Sequence, residues 1–169
     1  MVLITGPGGS GKTTLAGALA ERLGWDCIGE DDHWVAHGWG GLRTPAQEAE
    51  VQAEVVDRVR AAVAAGRGVV VELILYRPPP SPLTAYQQAL AAHGIAHATI
   101  ALRPDVDTIV DRLRTRGRPT DLADLDRRRW DALHQLRCLD PEHLGPAWVI
   151  DPTAPVPTLV DEIVARFGS

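Results

Sequence analysis

Residues 2–15, Val2-Leu3-Ile4-Thr5-Gly6-Pro7-Gly8-Gly9-Ser10-Gly11-Lys12-Thr13-Thr14-Leu15, decide how this chain folds. The first four are apolar or β-branched and read as a short strand that stops at Gly6. Thr13 to Leu23 then carries helix formers, with Leu15, Leu19 and Leu23 one turn apart. Between strand and helix, Gly6 to Thr13 satisfies G-x-x-x-x-G-K-[ST]. Glycines let successive backbone N–H groups turn toward phosphate oxygens, and the helix N-terminus adds partial positive charge at the same place. Gly6, Gly8, Gly9, Ser10 and Gly11 are therefore expected to cradle a nucleoside triphosphate, with Thr14 beside them. Lys12 is expected to reach the β- and γ-phosphates, and Thr13 to offer its hydroxyl to a bridging Mg²⁺.

The rest of the composition narrows the setting of this motif. The chain has 169 residues, 45% hydrophobic and 23% charged, which suits one domain with its own core. A net charge of −5 argues against a broad electrostatic footprint on nucleic acid or anionic lipid. Cys27 and Cys138 make neither a disulfide framework nor a paired C-x-x-C zinc site. No leader pattern and no apolar run of bilayer length is seen, so a cytoplasmic protein without nucleic-acid or membrane partners is expected. Of 17 basic residues, 16 are arginine; Lys12 is the single lysine, and it sits inside the glycine-rich loop. That placement marks it as functional.

Outward from the motif, strands and helices alternate. Asp26 to Glu30 reads as a second strand, and Asp31 to Arg43, rich in Gly, Trp and His, reads as an ordered loop. Thr44, Pro45 and Gln47 open a helix with an N-cap hydroxyl, proline at the first position and a capping-box partner, after which Val51, Val55, Val59 and Val63 share one face. Gly68 to Leu75 is apolar except for Glu72, as in a strand buried on both faces. Prolines 78–80 and Pro82 interrupt, and Leu83 to His93 reads as helix before a strand at His97 to Arg103. Val106, Ile109, Val110 and Leu113 form an amphipathic helix that runs into the arginine-rich break Arg114 to Pro119, read as a mobile loop. A helix from about Asp121 to Leu139, a strand at Ala147 to Asp151 and a final helix with Val156, Val160, Ile163 and Phe167 inward complete the chain. This alternation predicts a doubly wound α/β fold with a five-stranded parallel sheet flanked by helices.

With the loop Gly6 to Thr13 and the acidic end of the second predicted strand, the chain resembles the small P-loop kinases, an AAA-type ATP-binding group that holds shikimate, gluconate, adenylate and antibiotic kinases. The resemblance covers essentially all 169 residues as a single domain. It implies ATP with Mg²⁺, a small-molecule acceptor bound by about residues 31–65, and a lid at about 112–122. The shikimate and gluconate kinases, which the chain resembles most from Gly6 to Asp31, end their second strand in D-x-D, and Asp31 takes the second acidic position while Gly29 replaces the first. Asp31 would then accept the acceptor's proton or align its hydroxyl, with Asp32 as the alternative base. Since Gly29 cannot assist a metal, that role falls to Glu30, Asp32 or Glu72. Glu72 resembles a Walker B acid; its other reading is a carboxylate paired with Arg77. In the lid, Arg118 is the first candidate to meet the transferring phosphoryl group and Arg116 the next, while Arg112 would pack beside the adenine. Arg127, Arg128, Arg129 and Arg137 follow on one helix, and the sequence does not choose among them.

Trp34, Trp39, His33 and His37 occupy the acceptor segment, where the rings either stack on a substrate or pack. His33 and His37 have the i, i+4 spacing of a helical metal pair, but the surrounding glycines weaken a helix and the pair is set aside. Asp151 to Pro155 would border the adenine or cap the last helix. The expected activity is ATP-dependent transfer of the γ-phosphoryl group to a hydroxyl of a metabolite or antibiotic. A nucleoside or nucleotide kinase, with Arg43 or Arg77 on a monophosphate, is the nearest alternative. An NTP-hydrolysing switch is the alternative from another class, and the absence of asparagine excludes the guanine-reading N-K-x-D motif.

Overall fold

The structure is a computed structural model that describes residues 1–39, 43–76 and 82–167. Three successive valines show how the layers are made. Val69 and Val71 face one apolar cluster and Val70 the other, because side chains alternate along a strand that is covered on both sides. The same alternation runs through Val2, Leu3 and Ile4, where Leu3 joins the first cluster and its neighbours the second.

The described residues form five parallel strands: β1 (Val2–Thr5), β2 (Asp26–Gly29), β3 (Val69–Leu73), β4 (Ala98–Leu102) and β5 (Ala147–Ile150). Their order is β2-β3-β1-β4-β5. Val2 pairs with both Val70 and Ala98, so β1 is central, and Gly29 lies beside Glu72 at the end of β3. The chain leaves β1 toward one edge of the sheet and later returns to cross to the other. Ligands of open α/β sheets bind at such a reversal, beyond the carboxyl ends of the strands.

One face is covered by α1 (Lys12–Leu23) and α9 (Val156–Phe167), which bury Leu15, Leu19, Leu159, Val160 and Ile163 together. The other face takes α2 (Glu30–Ala36), α3 (Pro45–Ala64) and α4 (Pro82–Ala92). Val51, Val55 and Val59 of α3 are buried as the valine spacing predicts, while Val63 is 40% exposed at the helix end. The predicted capping box is present: Thr44 Oγ1 accepts from Gln47 N at 3.3 Å and Gln47 Oε1 accepts from Thr44 N at 3.0 Å. Such a cap contributes about 1 kcal/mol. α5 (Val106–Arg116), α6 (Pro119–Leu122), α7 (Leu125–Cys138) and α8 (Pro141–Leu144) complete the order, with Ile109, Leu113 and Ala132 packing α5 on α7.

Three stretches differ from the sequence reading. Asp31 to Ala36 is not loop but part of α2, which Glu30, Asp31 and Asp32 start as three acids in the first turn, where they complement the helix dipole. The arginine-rich break is a tight turn: Gly117, at φ 67°, ends α5 and Arg118 caps α6 directly. The single helix expected from Asp121 is two, because the Asp124 side chain accepts from Arg127 N at 2.8 Å and restarts the helix as α7. Arg77 and prolines 78–80 lie outside the described residues, and with them the pairing of Glu72 with Arg77. Among the described residues, no helix is long and apolar enough to cross a membrane.

Candidate active site

Gly6 to Gly11 connects β1 to α1 at the sheet's reversal. Gly9 and Gly11 have φ of 84° and 96°, a region that costs an L side chain about 1–2 kcal/mol. At Gly9 a Cβ would also lie 3.1 Å from Leu113 Cδ2, so the loop conformation and its seat against α5 both require glycine there. Thr5 Oγ1 and Ser10 Oγ are buried without a hydrogen-bond partner among the described residues. Lys12, 7% exposed, has its ammonium 3.5 Å from Pro7 O. Burial holds the pKa of Lys12 below the usual lysine range, opposed by the charges of Glu72 and Asp31.

Thr13 and Glu72, from α1 and β3, meet: the Thr13 hydroxyl donates to Glu72 Oε2 at 2.9 Å. Burial raises the Glu72 pKa against the pull of Lys12 and the Thr13 hydrogen bond. A Cβ on Gly29 would lie 3.1 Å from Asp32 Oδ2 and 3.4 Å from Glu72 Oε1. The space beside Gly29, where the first acid of D-x-D would project, is thus already bordered by two carboxylates. Glu30 is placed elsewhere. It is 4% exposed, accepts from Tyr86 OH at 3.2 Å, and burial raises its pKa to about 7 despite the nearby Arg43 charge.

A cleft of about 860 Å³ runs along this end of the sheet. The P-loop residues Gly8 to Thr14 line it together with Asp31, Arg112, Arg116, Arg118 and Pro152. Lys12, Thr13 and Asp31 therefore share one cavity. Asp31 is half-exposed and pairs with Arg43 Nη2 at 3.2 Å. Arg43 is itself clamped: its guanidinium carbon lies 4.1 Å from the ring centroids of both Trp34 and Tyr76. Asp32 is exposed near Gly29 and Glu72, not beside Asp31's ion pair.

The arginines of the 112–122 segment have distinct places. Arg112 Nη1 donates to Ser10 O at 2.8 Å and Nη2 to Pro152 O at 2.6 Å, clamping the P-loop to the segment after β5. Arg116 pairs with Asp121, which is 5% exposed and also meets Arg128 Nε at 3.3 Å. Arg118 lines the cleft, exposed, and makes no ion pair among the described residues. Of the four arginines left open by sequence, Arg128 faces the cleft, whereas Arg127 pairs with Asp131 and Arg129 with Asp107.

Two cleft residues escape the sequence reading. Asp121 gathers Arg116 and Arg128, and in the sequence it is one of three acids, with Asp124 and Asp126, that follow the arginine-rich turn. Gln135 Oε1 accepts from the P-loop amide of Gly8 at 2.9 Å across 127 residues of sequence, a contact with no local signal. The acceptor-segment aromatics are mainly packing groups: Trp34 is 4% exposed and Trp39 packs against the same core. His33 and His37 are both bonded to Glu54, at 2.8 and 2.7 Å.

The AAA domain family matches residues 1–138. No curated protein sequence matches the chain significantly. Among solved structures, the chain is similar to a gluconokinase from Sinorhizobium meliloti 1021, at 20% identity and TM-score 0.66, covering 97% of this chain and 89% of that one. It is similar to the Deinococcus radiodurans tunicamycin resistance protein at 20% identity and TM-score 0.68, covering 99% and 95%. A shikimate kinase from Acinetobacter baumannii, in complex with shikimate, matches at 19% identity and TM-score 0.66 over 98% and 90%. At these identities the likeness is one of fold. With the strand order, the loop after β1 and a family match over residues 1–138, the chain belongs to the AAA domain family, in its P-loop form.

Proposed function

We propose that this protein transfers the γ-phosphoryl group of ATP to a hydroxyl of a small molecule. The observation that carries the reading is the sharing of one cleft by Lys12, Thr13 and Asp31, a phosphate-binding lysine and helix N-terminus facing a carboxylate. The P-loop fits a triphosphate: its glycines hold the cradle open, and the Ser10 hydroxyl, without a hydrogen-bond partner among the described residues, belongs to a residue that lines it. Thr13 and Glu72, already in contact, would hold Mg²⁺, with Asp32 near them. The ion, when bound, neutralises charge on the β- and γ-phosphates.

In this reading the acceptor oxygen attacks the γ-phosphorus in line, its proton passes to Asp31, and the bond to the β-phosphate oxygen breaks to release ADP. Lys12 stabilises charge on the β- and γ-phosphates. Arg118, exposed on the cleft, is the first choice to meet the transferring group, and Arg116 follows if it leaves Asp121. Arg112 acts by clamping the two segments that would border the base. Asp32 remains the alternative base.

The acceptor side supports a polar substrate. Among the described residues, Trp34 Nε1 and Tyr76 OH are buried beside the Arg43 guanidinium without a hydrogen-bond partner, and unpaired buried polar groups are costly. A hydroxyl-bearing acceptor offers both donors and acceptors to such a set. The names of the similar structures, gluconokinase and shikimate kinase among them, agree with that chemistry. Arg43 is engaged by Asp31 and two rings, which weighs against its serving as a monophosphate site.

The test is ADP release with ATP and Mg²⁺ across a panel of sugars, sugar acids, nucleosides and antibiotics. Turnover that rises with one acceptor class, and a phosphorylated product, are expected. Turnover equal with and without every acceptor would overturn the kinase reading in favour of a hydrolysing switch.

A further inference from the structure

α2 and α3 pack side by side and bring together two pairs of metal-ligand side chains: His33 on α2 with His37 at its C-cap, and Glu50 and Glu54 one turn apart on α3. Nitrogen or oxygen atoms of His37, Glu50 and Glu54 all lie within 4.8 Å of one another. His37 Nε2 is 2.7 Å from Glu54 Oε1, and its ring lies flat on Trp39, with centroids 4.1 Å apart and planes 9° apart, which fixes the direction of that nitrogen. Behind Glu54, His33 Nδ1 is 2.8 Å from Oε2. Arg58 Nη1 donates to His33 Nε2 at 3.3 Å, so the His33 proton is on Nδ1 and is donated to Glu54. The carboxylate is therefore oriented from behind by an imidazole whose tautomer is set, the outer-shell support usual in protein metal sites.

We propose that His37, Glu50 and Glu54 bind a divalent transition-metal cation of the zinc class, with His33 as the residue that positions Glu54. One imidazole and two carboxylates leave an open position for water, a ligand set suited to zinc, whereas Ca²⁺ and Mg²⁺ favour oxygen alone. Tetrahedral zinc bonds of about 2.0–2.1 Å set ligand atoms roughly 3.3 Å apart, so His37 Nε2 and Glu54 Oε1, now 2.7 Å apart, would part slightly as the ion replaces the proton between them. Glu50 and Glu54 are exposed or half-exposed and have the freedom to move. Arg58, the cation in contact with the cluster, bonds the opposite nitrogen of His33. A metal there would staple α2, whose first turn carries Asp31 and Asp32, to the long helix α3. The site stands apart from the proposed ATP chemistry.

The experiment is titration of the metal-stripped, nucleotide-free full chain with Zn²⁺ against a chromophoric chelator, alongside thermal unfolding. One equivalent bound at micromolar affinity or tighter and a raised Tm are expected. His37→Phe, which keeps a ring for Trp39, and Glu54→Gln should each weaken binding at least about tenfold, and His33→Phe about tenfold through Glu54. Thr13→Ala should bind zinc as the parent does. Absence of binding, unchanged affinity in both His37→Phe and Glu54→Gln, or loss of binding in Thr13→Ala would overturn the proposal. Co²⁺ added to the unaltered chain tests it without relying on variant folding. Nitrogen and oxygen ligand-field bands are expected, and thiolate charge transfer would instead place the metal on a cysteine and overturn the assignment.

Discussion

The two ends of the cleft meet their electrostatic needs in different ways. At the P-loop, one continuous stretch from Gly6 to Thr14 supplies the proposed site, and the backbone N–H groups and helix N-terminus that would attract phosphate cannot titrate. At the other end Asp31 lines the cleft, and the residues behind it, Glu30, Arg43, Tyr76 and Tyr86, come from α2, the approach to α3, the segment after β3 and α4. There every charge depends on another: Arg43 answers Asp31 and Glu30, two rings hold Arg43, and Tyr86 bonds Glu30. The first end should therefore tolerate changes of pH and of distant residues, and the second should not.

The sharpest way to separate the ends is Asp31→Asn. Phosphoryl transfer should fall by about 10²–10⁴, the range for loss of a general base, while nucleotide affinity measured with a fluorescent ATP analogue changes little. Equal loss of ATP binding would show that Asp31 serves the nucleotide end. The pH dependence of the Glu30 cluster comes next. The folded pKa of Glu30, about 7, stands above its ordinary value of 4.5, so between these values the native state holds more proton than the unfolded state. Its contribution to stability is complete below the lower value and is lost as pH rises through the upper one. In urea unfolding, the stability of the parent relative to Glu30→Gln should fall by about 2–3 kcal/mol from pH 5 to pH 8. A constant difference would show that burial does not govern this carboxylate. The smallest effect is expected at Thr44→Ala, which removes the capping box of α3 and should cost about 1 kcal/mol in the same assay, with little dependence on pH.

Legibility followed sequence distance. The P-loop, the capping box at Thr44 and the valine face of α3 depend on neighbours a few positions apart, and each is present where the pattern placed it. α2 reads as loop in the sequence because its seven residues make only about two turns and glycines follow it closely. Its stability comes from three acids at its start and from packing on α3, and the second of these is a tertiary fact. Glu72 and Thr13 each stand out in the sequence, yet their contact needs β3 to lie beside β1. Asp121 and Gln135 became cleft residues only when α6 and α7 folded over the P-loop.

What the amino-acid order determined alone is the alternation of strand and helix and the phosphate loop, because backbone conformation and hydrophobic period are set within a few residues. What tertiary structure decided is the company each charge keeps. Glu30 is buried while its neighbours Asp31 and Asp32 are exposed, and Arg43 is held between Trp34 and Tyr76. Desolvation and ion pairing depend on which distant segments come within a few ångströms, and that is known only when the sheet and its helices have closed around the site.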